Sequence, residues 1–70
     1  MRCIVAYIHP VNGCTYLFKD FKMVDGVLKP IGCFRHRRSE ATVFETKRDA
    51  YKVVDHLKAL GCVHYSVRSL

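Results

Sequence analysis

Two dipeptides, Asn12-Gly13 and Asp25-Gly26, constrain this chain more than any other feature. Both residues of such a pair accept positive φ, which suits the two-residue type I′ turn of a β-hairpin. Each pair lies between runs rich in β-branched and aromatic residues: 2–9 before the first, 14–24 between the two, and 27–35 after the second. That order predicts a three-stranded antiparallel meander. Pro30 carries no amide hydrogen, so the third run belongs at a sheet edge or a bulge.

Beyond a polar stretch at 35–40, residues 41–45 read as a short fourth strand, after which the apolar period changes from two to 3.6. Thr46 stands as an N-cap with Asp49 three residues on. Ala50, Val53, Val54, Leu57 and Leu60 then form one apolar stripe, and Gly61 suits the left-handed position that ends a helix. Residues 62–67 supply a last strand, reached through the helical crossover. The expected fold is one α+β domain over residues 1–70, an antiparallel sheet of four to five strands in the order β-β-β-β-α-β, with one helix packed on one face.

Alternation divides the strand residues between two faces. Two-residue turns put Tyr7 opposite Phe18 and Phe18 opposite Cys33. One face then carries Cys3, Val5, Tyr7, His9, Tyr16, Phe18, Ile31, Cys33 and Arg35, flanked by Lys22 and Lys29. The other carries Ile4, Ala6, Ile8, Leu17, Phe21, Met23, Leu28 and Phe34, an aliphatic set that matches the helix stripe. One helix covers one face, so the aromatic and basic face is expected to be open.

Charge gives that face a meaning. Twelve Lys and Arg against six Asp and Glu leave a net +6, which favours an anionic partner. Aromatic rings that stack bases beside cations that neutralise phosphates make a platform for single-stranded nucleic acid, similar in principle to RRM and cold-shock surfaces. The run Arg35-His36-Arg37-Arg38 adds a basic loop. Lys47 and Arg48 stand at the helix start, against the local dipole preference, which points to an external anion or another role. The expected function is a non-enzymatic binding module for nucleic acid or a nucleoprotein complex. Tyr7, His9, Tyr16 and Phe18 supply rings, and Lys22, Lys29, Arg35, Arg37, Arg38, Lys47 and Arg48 supply charge.

Phe44-x-Thr46-x-x-x-Ala50, a strand end running through a capping Thr into a helix, resembles the sheet-to-helix junction of AP2-type and integrase arm-type DNA-binding domains. The resemblance implies a three-stranded sheet that reads the major groove, backed by one helix; the strand after Gly61 departs from it. In size and single-surface organisation the chain also resembles small proteins of phages and mobile elements, anti-CRISPR proteins among them. That implies the alternative of an inhibitor bound to a host nucleic-acid-processing complex. A further alternative is a structural homodimer closed through the aromatic face.

Other chemistries find less in the sequence. Four Cys and four His could hold zinc, yet there is no Cys-x-x-Cys knuckle, and a site would have to be assembled from Cys3, Cys33, Cys62 and His64 on separate strands. Neither a nucleophile elbow, a phosphate loop nor paired carboxylates appear, so no cofactor, metal or enzyme activity is expected. The apolar run from Cys3 to Ile8 falls far short of the roughly 20 residues that span a bilayer. No membrane partner, a cytoplasmic setting and reduced thiols are therefore expected.

Overall fold

The Asp25-Gly26 turn forms as its residues dictate: Val24 pairs with Val27, and Asp25 and Gly26 take φ of 51° and 78°. It joins β2 (Thr15–Val24) to β3 (Val27–Phe34) in a computed structural model that describes residues 2–70. The remaining elements are β1 (Cys3–Ile8), a 3-10 segment at Arg35–Glu40, helix α1 (Lys47–Ala59) and β4 (Tyr65–Ser69). The four strands form one antiparallel sheet in the order β3-β2-β1-β4, so the fold is α+β, with the last strand beside the first.

Each hairpin departs from the simplest register in its own way. At the first turn Pro10 favours a longer loop. The His9 N–H donates to the Cys14 carbonyl at 2.9 Å, the Gly13 N–H donates back to the His9 carbonyl at 3.0 Å, and Gly13 takes φ of 72°. Tyr7 therefore pairs with Tyr16 rather than Phe18, a slip of two that leaves the facing of β1 and β2 unchanged. Between β2 and β3 the register shifts at Lys19, a β-bulge. A slip of one reverses faces. Phe18 consequently lies opposite Gly32, Tyr16 opposite Phe34, and Phe21 joins Phe18 on the same side.

The bulge also makes room for the chain to change sides. Where β2 turns away from β1, the Thr42 N–H donates to the Phe18 carbonyl at 3.2 Å, and Thr42 Oγ1 donates to the Lys19 carbonyl. Phe44 exchanges two 2.8 Å backbone hydrogen bonds with Cys3. The fourth strand expected at 41–45 is thus reduced to a single bridge, Cys3 to Phe44, with Thr42 bonded to the bulge and Ala41 to Arg38.

Thr46 caps α1 as expected, its Oγ1 accepting from the Asp49 N–H at 3.2 Å. Its C-terminus closes through a Schellman pair, the Gly61 N–H on the Lys58 carbonyl at 3.0 Å and the Cys62 N–H on the Leu57 carbonyl at 2.8 Å. Ala50, Val54 and Leu57 are buried, while Leu60 is left at the surface. These helix residues pack on Cys3, Val5 and Phe18.

That contact inverts the expected sidedness: α1 covers the face predicted to be open. The other face, with Ile4, Ala6, Leu17 and Cys33, is covered in part by Ala41 at the end of the 3-10 segment. Both faces are apolar near the sheet centre, so alternation sorts residues into sets without saying which set the helix takes.

Candidate functional site

Two surface features emerge from this arrangement. The first is a cavity of about 640 Å³ on the side of the sheet away from α1. Ile4 of β1 and Leu17 of β2 form its floor. Arg35, His36 and Arg38 of the 3-10 segment line one side, and Arg68 of β4 lines the other, paired in register with Ile4. The hydroxyl residues Thr15 and Ser69 complete the rim. Among the described residues no acidic side chain lines it.

The local fold explains why these cations converge. Ala41 is anchored among Ile4, Ala6, Leu17 and Cys33, and its N–H donates to the Arg38 carbonyl at 3.1 Å, which holds the basic segment down on the sheet. Glu40 is engaged by Lys19 at 3.6 Å and Arg37 at 3.7 Å. Those are the ion pairs among the described residues, and neither uses Arg35, Arg38 or Arg68. Exposed pairs of this kind contribute at most about 1 kcal/mol, so their effect here is to orient the segment.

The second feature is an aromatic stripe with one ring from every strand. Phe34 lies 5.5 Å from Tyr16, Tyr16 lies 6.2 Å from Tyr7, and Tyr7 lies 5.0 Å from Tyr65 between ring centroids. The rings share the face of α1 but sit toward the end of the sheet past Val5 and Phe18, the core contacts of the helix. Tyr7, Tyr16 and Tyr65 are half-buried, and Phe34 is 55 % exposed. A dimple of about 210 Å³ lies over them at Gly32. His36 stacks on Phe34 at 5.6 Å with the planes only 7° apart, and the same residue lines the basic cavity.

Not every residue expected at the site belongs to it. Tyr7 and Tyr16 are in the stripe, and Arg35 and Arg38 are in the cavity. Phe18 is a correction: it is 4 % exposed, packed on Phe21 at 5.1 Å and Phe44 at 6.5 Å, so it is core. His9 is a turn residue whose Nδ1 accepts from the Val11 and Asn12 N–H groups at 3.2 and 3.3 Å, although its ring stays 6.2 Å from Tyr7. Lys22 and Lys29 do not flank the aromatic rings. They pair with each other toward the tip of the β2–β3 arm, on the cavity side of the sheet, because the bulge reverses their facing. Arg37 is turned to Glu40 by its non-helical backbone, φ −107° and ψ 36°. Lys47 and Arg48 lie in the first turn of α1, on the opposite side of the sheet from the cavity.

The site gains residues that the expectation omitted. Arg68 fell outside a last strand drawn at 62–67; in fact β4 starts at Tyr65 after His64, which takes a left-handed φ of 72°. Phe34 was assigned to the core through the register error. Neither had a local signal: the facing of Phe34 depends on the bulge at Lys19, and the place of Arg68 depends on its pairing with Ile4.

Cysteine chemistry follows the faces. Cys3 and Cys33 lie on opposite sides of the sheet, so a zinc site built from both is excluded by geometry. Burial, with a further push from Glu40, raises the Cys33 thiol above its ordinary value and keeps it protonated. Cys14 is exposed on the first turn. Alkylation of the native protein at mildly alkaline pH, read by peptide mass spectrometry, is expected to label Cys14 well before Cys33. Equal labelling would show that Ala41 does not stay docked. Burial likewise raises the Tyr65 phenol, with smaller contributions from Cys62 and Tyr7, so this ring stays neutral across the physiological range.

No protein-family model matches the sequence, and neither the curated proteins nor the solved structures contain a match. The sheet-to-helix junction has the capped form that the DNA-binding resemblance implies, but the sheet has four strands, and the face away from the helix holds the basic segment. Among the described residues no helix is long and apolar enough to cross a membrane.

Proposed function

We propose that this protein is a non-enzymatic basic module that binds single-stranded nucleic acid, free or within a nucleoprotein complex, in a reducing, cytoplasmic setting. The observation that carries this reading is His36, which lines the arginine cavity and stacks on the outermost ring of the aromatic stripe. A strand with phosphate at Arg35, Arg38 and Arg68 would pass around the sheet edge along His36 to reach Phe34 on the other face. Stacking on such rings contributes about 1–3 kcal/mol per base. The cavity itself offers cations and an apolar floor, the pairing that an anionic ligand with a non-polar body calls for.

Fluorescence anisotropy of a labelled single-stranded oligonucleotide, titrated over a range of salt, tests the reading. Three phosphate contacts predict that log K falls against log salt with a slope of about −2. Arg38→Ala is expected to reduce that slope by about 0.7. Phe34→Ala is expected to cost about tenfold in affinity with the slope unchanged. Absence of binding at low salt, or a slope indifferent to Arg38, would overturn it.

A second reading has its own observation. Met23, Val24 and Val27 are all exposed at the tip of the β2–β3 arm beside the Lys22–Lys29 pair, and an apolar tip of this kind suits a protein surface. An inhibitor that docks through the arm would lose its partner on Met23→Asp and keep it on Arg38→Ala.

A further inference from the structure

The arginine cavity has a shape and charge that a passing strand does not require. Its volume of about 640 Å³ suits one group of nucleotide size. Its basic walls come from the two outer regions of the sheet, Arg35 and Arg38 following β3 and Arg68 on β4, with Ile4 and Leu17 of the two inner strands between them. A diester inside a strand carries one negative charge and is matched by one or two cations. A terminal phosphomonoester carries about −1.5 to −2 at pH 7 and presents three acceptor oxygens. Three guanidinium groups free of ion pairs, converging on one cavity, match that higher charge and can engage it through paired N–H donors.

The rest of the lining fits the remainder of a terminal nucleotide. Ile4 and Leu17 are nearly buried, at 8 % and 4 % exposed, so the floor shows a small apolar surface and offers no donor to a second phosphate. Thr15 adds a hydroxyl group at the rim, where a ribose oxygen can be met. His36, parallel to Phe34, then leads from the cavity to the stripe that takes the following bases.

We propose that the cavity of Arg35, Arg38 and Arg68 is a receptor for the terminal phosphomonoester of a nucleic-acid strand, with the end nucleoside on Ile4 and Leu17. The inference rests on the nucleic-acid reading of the same site and narrows it from any strand to a phosphorylated end. The chemistry is shared by a 5′-phosphate and a 3′-phosphate, and the experiment separates them.

Three short single-stranded oligonucleotides of one sequence, internally labelled, would be titrated by anisotropy at one fixed salt: 5′-phosphorylated, 3′-phosphorylated, and hydroxyl at both ends. One phosphorylated end is expected to bind about tenfold more tightly than the hydroxyl-ended strand. Arg68→Ala is expected to remove that preference while still binding the hydroxyl-ended strand, and thermal unfolding of the variant would verify that β4 remains in place. Lys22→Ala, on the arm, is expected to keep the preference. Equal affinity for all three strands would overturn the end-receptor inference and leave the nucleic-acid reading standing. A preference that survives both Arg38→Ala and Arg68→Ala would equally overturn it, because the phosphate would then be held elsewhere. Failure to bind any of the strands would overturn both.

Discussion

Phe18→Ala is expected to lower the stability of the fold by about 3–5 kcal/mol. The ring fills the space between the sheet and the segment leading into α1, touching Phe21 and Phe44 and clustering with Val5, Val54 and Leu57. A domain of this length has about 4–10 kcal/mol in total, so the variant should be largely unfolded or close to it at room temperature. Urea denaturation followed by circular dichroism would show the midpoint falling steeply. Tyr7→Ala, on the same face but half-buried at the open end, provides the contrast. A loss for Phe18 no larger than that for Tyr7 would place the core elsewhere.

Gly32→Ala is expected to cost about 1–3 kcal/mol although nothing else about the chain changes. A β-carbon at Gly32 would meet the Leu17 backbone carbonyl oxygen at 2.8 Å, and backbone does not yield as a flexible side chain does. The close approach follows from the bulge at Lys19, which sets Gly32 opposite Phe18. Relief of the clash requires the end of β3 to move, and that end carries Phe34 and Arg35. The variant should therefore also bind the oligonucleotide less well, although residue 32 lies outside the arginine cavity. Denaturant titration and anisotropy on one preparation check both effects. Unchanged stability would mean that the two strands are farther apart than described.

The two hairpins and the helix were legible because turn chemistry and capping are local. Asp25-Gly26, Thr46 and Gly61 each act through their own backbone, and each does what its type predicts. The bulge at Lys19 was not legible. It forms where Thr42 and Phe44 enter between β1 and β2, a contact that links residues far apart in the chain. The sidedness of the helix shares that cause. Cys3, Val5 and Phe18 make one apolar set, Ile4, Ala6, Leu17 and Cys33 another, and the route of residues 41–46 past the bulge decides which of them meets α1. For the site, Arg35 and Arg38 could be read from the basic run. Arg68 could not, since only its register against Ile4 brings it to the cavity.

That register has a kinetic side. β1 is an inner strand, and its two neighbours differ greatly in how near they are along the chain: β2 follows through a short turn, whereas β4 pairs Cys3 with Ser69 and Ile4 with Arg68. The β2–β3 hairpin and α1 can form from local contacts on a fast timescale. The β1–β4 ladder must instead close nearly the whole described chain into a loop, an entropic cost met before any of its contacts are gained. One wall of the arginine cavity is therefore set by the most non-local strand pairing of the fold.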